Sequence, residues 1–272
     1  IFSMDFNQID RLDRLTDTVQ ANTTATRILI DHHLHPPLDE YALHFSDTHA
    51  CSTSYIVYQL ITALAGPEAI TKAMAESLYV GLMTDTGNFA YSNLDADLFR
   101  AVATLIDRGI NVPYIYSAVY NNFSEGRMRL MGYMLNDKMT LLWKHGTVYM
   151  WLTEEEMRRF NFKQGDSEGF VNFPLSIRGI SLSAMFTQNQ REIRVSLRSR
   201  GDVDVNVFAR RYFGGGGHRN AAGGKSSASM EETIRHFERS VAEYFGELPP
   251  TGAGAPDPNA PEEPTAVTTP KP

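Results

Sequence analysis

The chain has 272 residues, enough for one large or two ordinary domains, and its 42% hydrophobic content supports a packed core and excludes global disorder. The formal net charge of −7 argues against tight, non-specific binding of duplex DNA through a broad basic face. The single cysteine, Cys51, excludes an internal disulfide and a four-thiolate zinc site, and it is typical of a protein from a reducing cytoplasm. No apolar run approaches the roughly 20 residues that a membrane-spanning helix needs, so we expect no membrane association.

The first part of the chain alternates short apolar runs with helical segments. Residues 1–5 resemble the end of a buried strand, and we expect the natural chain to extend upstream of Ile1. The run 27–31 has the continuous apolar character of a strand covered on both faces, and a weaker strand follows at 41–45. Three helices are predicted, over residues 52–64, 68–83 and 94–108. This order predicts an α/β domain with a doubly wound parallel sheet over residues 1–111.

The second part of the chain has a different pattern. Residues 112–139 are predicted to be helical and to link two domains. Residues 140–248 predict a smaller mixed α/β domain, with strands at 140–142, 147–152, 181–186 and 192–198 and helices at 204–212 and 230–245. From residue 249 onward the chain is rich in Pro and Ala, so we expect a disordered tail over 249–272.

Polar residues stand where two of the predicted strands end. Asp31, His32 and His33 directly follow the second strand, and Asp5 ends the first; ligands of open α/β sheets bind beyond the carboxyl ends of strands. Asp85 ends a predicted helix, where a carboxylate opposes the helix dipole, although a turn cap is the ordinary alternative. Together these residues predict a mixed oxygen and nitrogen ligand set, which suits Mn²⁺ or another octahedral divalent ion better than structural zinc.

A glycine-rich run, Phe213–Gly224, contains four consecutive glycines followed by His218 and Arg219. Each glycine costs backbone entropy and buries no side chain, so the run indicates a backbone that passes very close to another group; a flexible surface turn is the alternative. Seven arginines lie between residues 191 and 219 against three acidic residues, which gives an acidic chain a local excess of positive charge. The imidazole and guanidinium predict a phosphate-bearing ligand. Arg198, at the end of a predicted strand, could reach the same ligand, although a surface arginine whose stem covers the core is the ordinary alternative.

These motifs resemble a known family. Asp5 in Met4-Asp5-Phe6-Asn7, the Asp31-His32-His33 triplet, Asp85 in Thr84-Asp85-Thr86-Gly87 and the glycine-rich run occur in the order typical of DHH phosphoesterases that carry a DHHA1 domain. The resemblance covers roughly residues 1–246 and is strongest to the small bacterial type, an oligoribonuclease (nanoRNase) and phosphatase of adenosine 3′,5′-bisphosphate. The family's first motif, one His and two Asp residues, has no counterpart here and is expected upstream of Ile1.

The resemblance implies roles for the candidate residues. Two divalent ions are expected, Mn²⁺ by preference and Mg²⁺ as the alternative, with Asp5 bridging them and His32 and Asp85 completing one of them. Asp31 is expected to orient His32, and His33 to contact the scissile phosphate. The phosphate or base of the nucleotide is expected to be held by Arg198, the amides of Gly215, Gly216 and Gly217, His218 and Arg219.

The implied activity is two-metal hydrolysis of short single-stranded RNA or a small nucleotide. Within the enzyme class, a phosphodiesterase for cyclic di-AMP or its linear product is the main alternative, whereas a processive RecJ-like exonuclease would need further nucleic-acid-binding domains. A nucleotide-binding module without catalysis is the alternative from another class. The oligomeric state is left open, with a homodimer among the options.

Overall fold

The computed structural model describes residues 1–6, 8–34, 36–90, 94–190 and 192–247. The described residues form two compact units, which divide between Asn122 and Phe123. The tail predicted to be disordered, residues 249–272, lies outside the described residues. In the described part of the chain, no helix combines the length and the apolar character needed to cross a bilayer.

The first unit contains a parallel sheet with helices packed around it, as the sequence predicts. Its described strands and helices are β1 (Phe2–Met4), α1 (Thr16–Ala21), β2 (Ile28–Asp31), β3 (Leu43–Ser46), α2 (Thr53–Ala65), α3 (Lys72–Asp85), α4 (Ala96–Asp107) and α5 (Val112–Tyr120). The strands lie in the order β1-β2-β3 and are parallel, so their carboxyl ends share one edge. The predicted parallel α/β fold is therefore confirmed.

Local chemistry explains where the helices of this unit begin and how closely they pack. The side chain of Ser52 accepts a hydrogen bond from the Tyr55 amide and caps α2. Helix α3 packs so tightly on α2 that a Cβ atom at Gly81 would lie 1.9 Å from the Ser54 hydroxyl oxygen. Only glycine fits this crossing, which brings the end of α3 toward the start of α2.

The second unit is built on a six-stranded mixed sheet. Its described elements are α6 (Glu125–Asp137), β4 (Thr140–Leu142), β5 (Thr147–Leu152), α7 (Glu154–Arg159), β6 (Leu182–Gln188), β7 (Ile193–Ser199), α8 (Val205–Phe213), β8 (Gly216–His218), β9 (Ala221–Ser226) and α9 (Met230–Glu247). The strand order is β4-β5-β6-β7-β9-β8, antiparallel except for the β5–β6 pair. The predicted mixed α/β domain is confirmed.

The segment predicted to be a helical link, residues 112–139, contains two helices that pack in different cores. Ile115 of α5 is buried in the core of the first unit. Leu130 and Met134 of α6 are fully buried in the second unit, against β5 and β6. Each helix is therefore part of the unit on its own side of the division.

A half-buried ion pair joins α7 to Lys138, the residue that follows α6. The Lys138 ammonium lies 2.6 Å from the Glu156 carboxylate, which also accepts hydrogen bonds from Tyr133 and Thr153. Burial alone would raise the pKa of Glu156, but these donors outweigh it and lower the pKa to about 2. The charged carboxylate thus stabilises the folded second unit.

The glycine-rich run forms part of the sheet, and the alternative of a flexible surface turn does not describe it. Gly214 ends α8 in the left-handed region at φ 57°, and Gly216–His218 forms the edge strand β8. A Cβ atom at Gly215 would lie 1.9 Å from the Gly223 carbonyl oxygen, and one at Gly217 would lie 2.5 Å from that of Ala221. The predicted close approach exists, but the group that the backbone approaches is the neighbouring strand β9.

Candidate metal centre

Four of the candidate metal-site residues follow the carboxyl ends of β1 and β2. Asp5 comes directly after β1, Asp31 is the last residue of β2, and His32 and His33 follow it. Asp5 has a left-handed backbone, at φ 64°, while its amide still donates to the Ile30 carbonyl 3.1 Å away. The chain therefore turns out of the sheet at Asp5 and presents its carboxylate at the sheet edge.

A first donor group joins three distant parts of the first unit. The Nε2 atom of His32 lies 3.7 Å from Oδ1 of Asp5 and 3.9 Å from Oδ2 of Asp85, the last residue of α3. One ligand atom from each of the three residues lies within 4.8 Å of the others. The three residues that the sequence singled out as metal ligands are thus within reach of one cation.

The main chain sets the tautomer of His32. Its Nδ1 atom lies 3.2 Å from the Ala50 carbonyl oxygen, which can only accept a hydrogen bond. Nδ1 therefore carries the proton, and the lone pair of Nε2 faces the two carboxylates. A histidine held in this way is ready to bind a metal ion.

A second donor group consists of Asp5, Asp31 and His33, again with one ligand atom from each within 4.8 Å of the others. Asp31 is fully buried, and its carboxylate accepts hydrogen bonds from His33 Nδ1 at 2.7 Å and from the His33 amide at 3.1 Å. Asp31 was expected to orient His32, whereas these two hydrogen bonds hold His33. The reason is local: an Asp side chain readily captures the amide two residues further on, and the ring of that residue follows.

Sequence reasoning missed two residues that support this centre, Ala50 and Thr53. The Thr53 hydroxyl, at the first position of α2, donates to Oδ1 of Asp5 at 2.9 Å. The sequence marks this region only as a helix start, since Ser52 and Thr53 are both residues that cap helices. Nothing in the residue types shows that the same turn contacts Asp5 and His32.

The donor set fits a divalent cation. Burial and the nearby Asp5 carboxylate raise the pKa of Asp85, whereas His32 and His33 lower it. Two carboxylates that repel each other beside an imidazole nitrogen are stabilised when a cation lies between them. Carboxylate oxygens with imidazole nitrogen suit Mn²⁺ and related octahedral ions.

In the second unit, the strand register brings two of the candidate phosphate-binding residues to one face. Arg198 on β7 and His218 on β8 both register with Ala221 on β9, so their side chains project from the same face of the sheet. Arg219 lies elsewhere: its guanidinium contacts Asp202 at 3.1 Å, near the start of α8. Both members of that pair are exposed, so the pair is weak.

Two of the candidate glycine amides already have partners within the protein. The Gly215 amide donates to the Ala209 carbonyl at 3.2 Å, and the Gly217 amide donates to the Asn206 side chain at 3.1 Å. The buried Asn206 is another residue that sequence reasoning missed. It ties α8 to β8 because the glycine backbone leaves room for its side chain.

Comparison with known proteins agrees with this organisation. Residues 147–247 match the DHHA1 domain family. A solved structure of an exopolyphosphatase-related protein from Bacteroides fragilis is 39% identical, with a TM-score of 0.85, and the match covers 90% of this chain and 72% of that one. The chain belongs to the DHH/DHHA1 phosphoesterase family.

Two curated relatives carry the name bifunctional oligoribonuclease and PAP phosphatase NrnA. The one from Bacillus subtilis is 30% identical over 213 residues, 76% of this chain and 64% of the relative. The one from Thermus thermophilus is 31% identical over 196 residues, 72% of this chain and 57% of the relative. The chain thus spans less than two thirds of the length of either relative.

Proposed function

We propose that the chain is the metal-binding and nucleotide-binding part of a hydrolase acting on phosphoesters. Its proposed substrates are short oligoribonucleotides, released as mononucleotides, and the 3′-phosphate of adenosine 3′,5′-bisphosphate. The observation that carries the proposal is the Asp5 carboxylate, which belongs to both donor groups of the first unit. The names of the two curated relatives support the choice of substrates.

Asp5, His32 and Asp85 would hold one divalent ion, and Asp5 would bridge it to a second. Mn²⁺ is the preferred ion and Mg²⁺ the alternative, because the set combines imidazole nitrogen with carboxylate oxygen. When bound, such ions polarise phosphoryl oxygens and lower the pKa of a bound water. Residues 1–111 would supply this part of the site.

The protein's own groups orient the reacting phosphate. His33 donates its Nδ1 proton to the fully buried Asp31, which fixes the orientation of the ring. Its Nε2 atom would then contact an oxygen of the scissile phosphate. In the second unit, Arg198 and His218, which share one face of the sheet, would bind a phosphate of a nucleotide ligand.

The remaining candidates would contribute less. Arg219 would exchange Asp202 for a ligand phosphate at small cost, because the pair is exposed. The amides of Gly215 and Gly217 serve the fold, as their donated hydrogen bonds indicate, and Gly216 lies in strand β8 in register with Gly223.

The test is hydrolysis of a diribonucleotide by the purified chain with Mn²⁺ and with EDTA. We expect Mn²⁺-dependent release of mononucleotide that His32→Ala and Asp85→Ala abolish. His49→Ala is the matched control, because this side chain is 93% exposed and lies outside both donor groups. Unchanged rates in both site variants would contradict the assignment.

Cyclic di-AMP and its linear product serve as competing substrates in the same assay. Faster turnover of either would replace the proposed substrates without changing the metal site. A calorimetric titration with Mn²⁺ alone separates binding from turnover. A chain that neither binds Mn²⁺ nor hydrolyses any of these compounds would show that the proposal is wrong.

A further inference from the structure

The two faces of strand β7 differ sharply in character. Ile193, Val195 and Leu197 are buried in the core formed with α8 and α9. The alternate residues, Arg194, Ser196 and Arg198, project from the opposite face and are exposed or half-buried. One face of β7 therefore lies in the core, whereas the other borders the segment Phe170–Ser176 on the side of β6 and is partly open to a ligand toward β9.

The strand register extends this outer face across β9 and β8. Arg198 stands beside Ala221, and Ser196 stands beside Gly223, which in turn pairs with Gly216. Small residues therefore form the centre of the face. Cationic and polar groups stand at its two ends, with Arg198 and His218 at one end and Arg194 and Lys225 at the other.

The pairing of Arg194 with Lys225 is unfavourable in the protein alone. The two cations stand directly opposite each other on neighbouring strands, an arrangement that destabilises a sheet. Lys225 is compensated by Glu192, at 3.6 Å. Among the residues that the structure describes, none forms a hydrogen bond or ion pair with the side chain of Arg194. A bound anion would compensate it.

We propose that Arg194, supported by Lys225, binds a second phosphate of an oligoribonucleotide whose other phosphate is held at Arg198 and His218. This inference rests on the proposed function. Four residue steps along β7 separate the Cα atoms of the two arginines by about 14 Å, more than one nucleoside bisphosphate spans. Between the two ends of the face, Gly216 and Gly223 carry no side chains, and the Asn206 and Arg210 side chains lie beside Gly216. The outer face would therefore favour RNA chains of several nucleotides over adenosine bisphosphate or a dinucleotide.

The test compares the binding of 5′-phosphorylated oligoadenylates of two and of five nucleotides by calorimetry, with EDTA present to prevent turnover. We expect Arg194→Ala to weaken the affinity for the pentanucleotide about tenfold more than that for the dinucleotide. The salt dependence of pentanucleotide binding should also become shallower, by about 0.7 in the slope of log K against log salt. Arg194→Lys should retain that slope, because it retains the charge.

Arg235→Ala is the control, since Arg235 is an exposed arginine on α9 that pairs with Glu231. It should change neither affinity. An unchanged ratio of the two affinities in Arg194→Ala would overturn the inference, and so would equal weakening of both ligands. Thermal melting of each variant shows whether it is folded.

The same experiments separate this inference from the proposed function. If the wild type binds the pentanucleotide as described but releases no mononucleotide with Mn²⁺, hydrolysis is wrong and the second phosphate site stands. If the wild type hydrolyses the pentanucleotide and Arg194→Ala binds both oligoadenylates as tightly as the wild type, the second phosphate site is wrong and the proposed hydrolysis stands. No binding of either oligoadenylate would overturn the second phosphate site.

Discussion

Replacing Thr53 by Val tests whether the turn that begins α2 tunes the metal centre. Val keeps the shape of Thr but removes the hydroxyl that donates to Oδ1 of Asp5 at 2.9 Å. A hydrogen bond to a charged group contributes about 1.5–3 kcal/mol. Loss of a group that orients a metal ligand typically weakens metal binding about 10- to 100-fold, or roughly 1.4–2.7 kcal/mol. The two magnitudes agree, so we expect Mn²⁺ affinity to fall by that factor.

The assay is a calorimetric titration with Mn²⁺, together with urea unfolding of the metal-free protein. Thr62→Val is the matched control, because Thr62 is on the same helix and its buried hydroxyl oxygen has no hydrogen-bond partner among the described residues. Thr53→Ser should restore most of the affinity, since it restores the hydroxyl. Equal Mn²⁺ affinities in Thr53→Val and Thr62→Val would refute the reasoning.

Three further predictions concern stability and are checked by chemical or thermal unfolding. Gly81→Ala should lower the unfolding free energy by about 1–3 kcal/mol, because the added methyl group meets Ser54. Adding Ser54→Gly to this variant should recover part of the loss. If the effects of the two substitutions simply add, the close crossing of α2 and α3 is contradicted. Gly215→Ala should destabilise by at least as much, because the added Cβ meets the rigid carbonyl of Gly223, and a neutral outcome would mean that the run is an open loop after all. The pKa of Glu156 is lowered to about 2, so its contribution is complete above about pH 4.5 and is lost as the pH falls toward 2. Glu156→Gln should remove roughly 1–3 kcal/mol of that acid-dependent stability. If the unfolding free energies of the wild type and the variant change in parallel with pH, this assignment to Glu156 is wrong.

The sequence predicted the fold and the first donor group well because both depend on local signals. The run 27–31 is apolar throughout, as a buried parallel strand must be, and it is followed at once by polar residues. Since parallel strands end at one edge of a sheet, Asp5 and His32 had to lie close together. Asp85 joins them because α3 ends at Asp85, two residues beyond its predicted end at residue 83.

The rest depends on contacts between distant residues, which residue types do not show. The partner of Asp31 was misjudged because His32 and His33 differ only in the direction that the chain takes after β2. Glycine has a low strand propensity, so nothing in the run 214–217 predicts that it pairs with β9. Arg219 was grouped with His218 as a sequence neighbour, whereas the turn between β8 and β9 directs it to Asp202.

The first donor group has a consequence for the dynamics of the first unit. Asp5, His32 and Asp85 follow a strand, a second strand and a helix that are far apart along the chain. A cation held by all three would cross-link these elements and close two long loops, in the way that a pair of disulfides does. Chelation should then speed amide hydrogen exchange at the end of α3 and along β1 together, while exchange in the second unit stays the same.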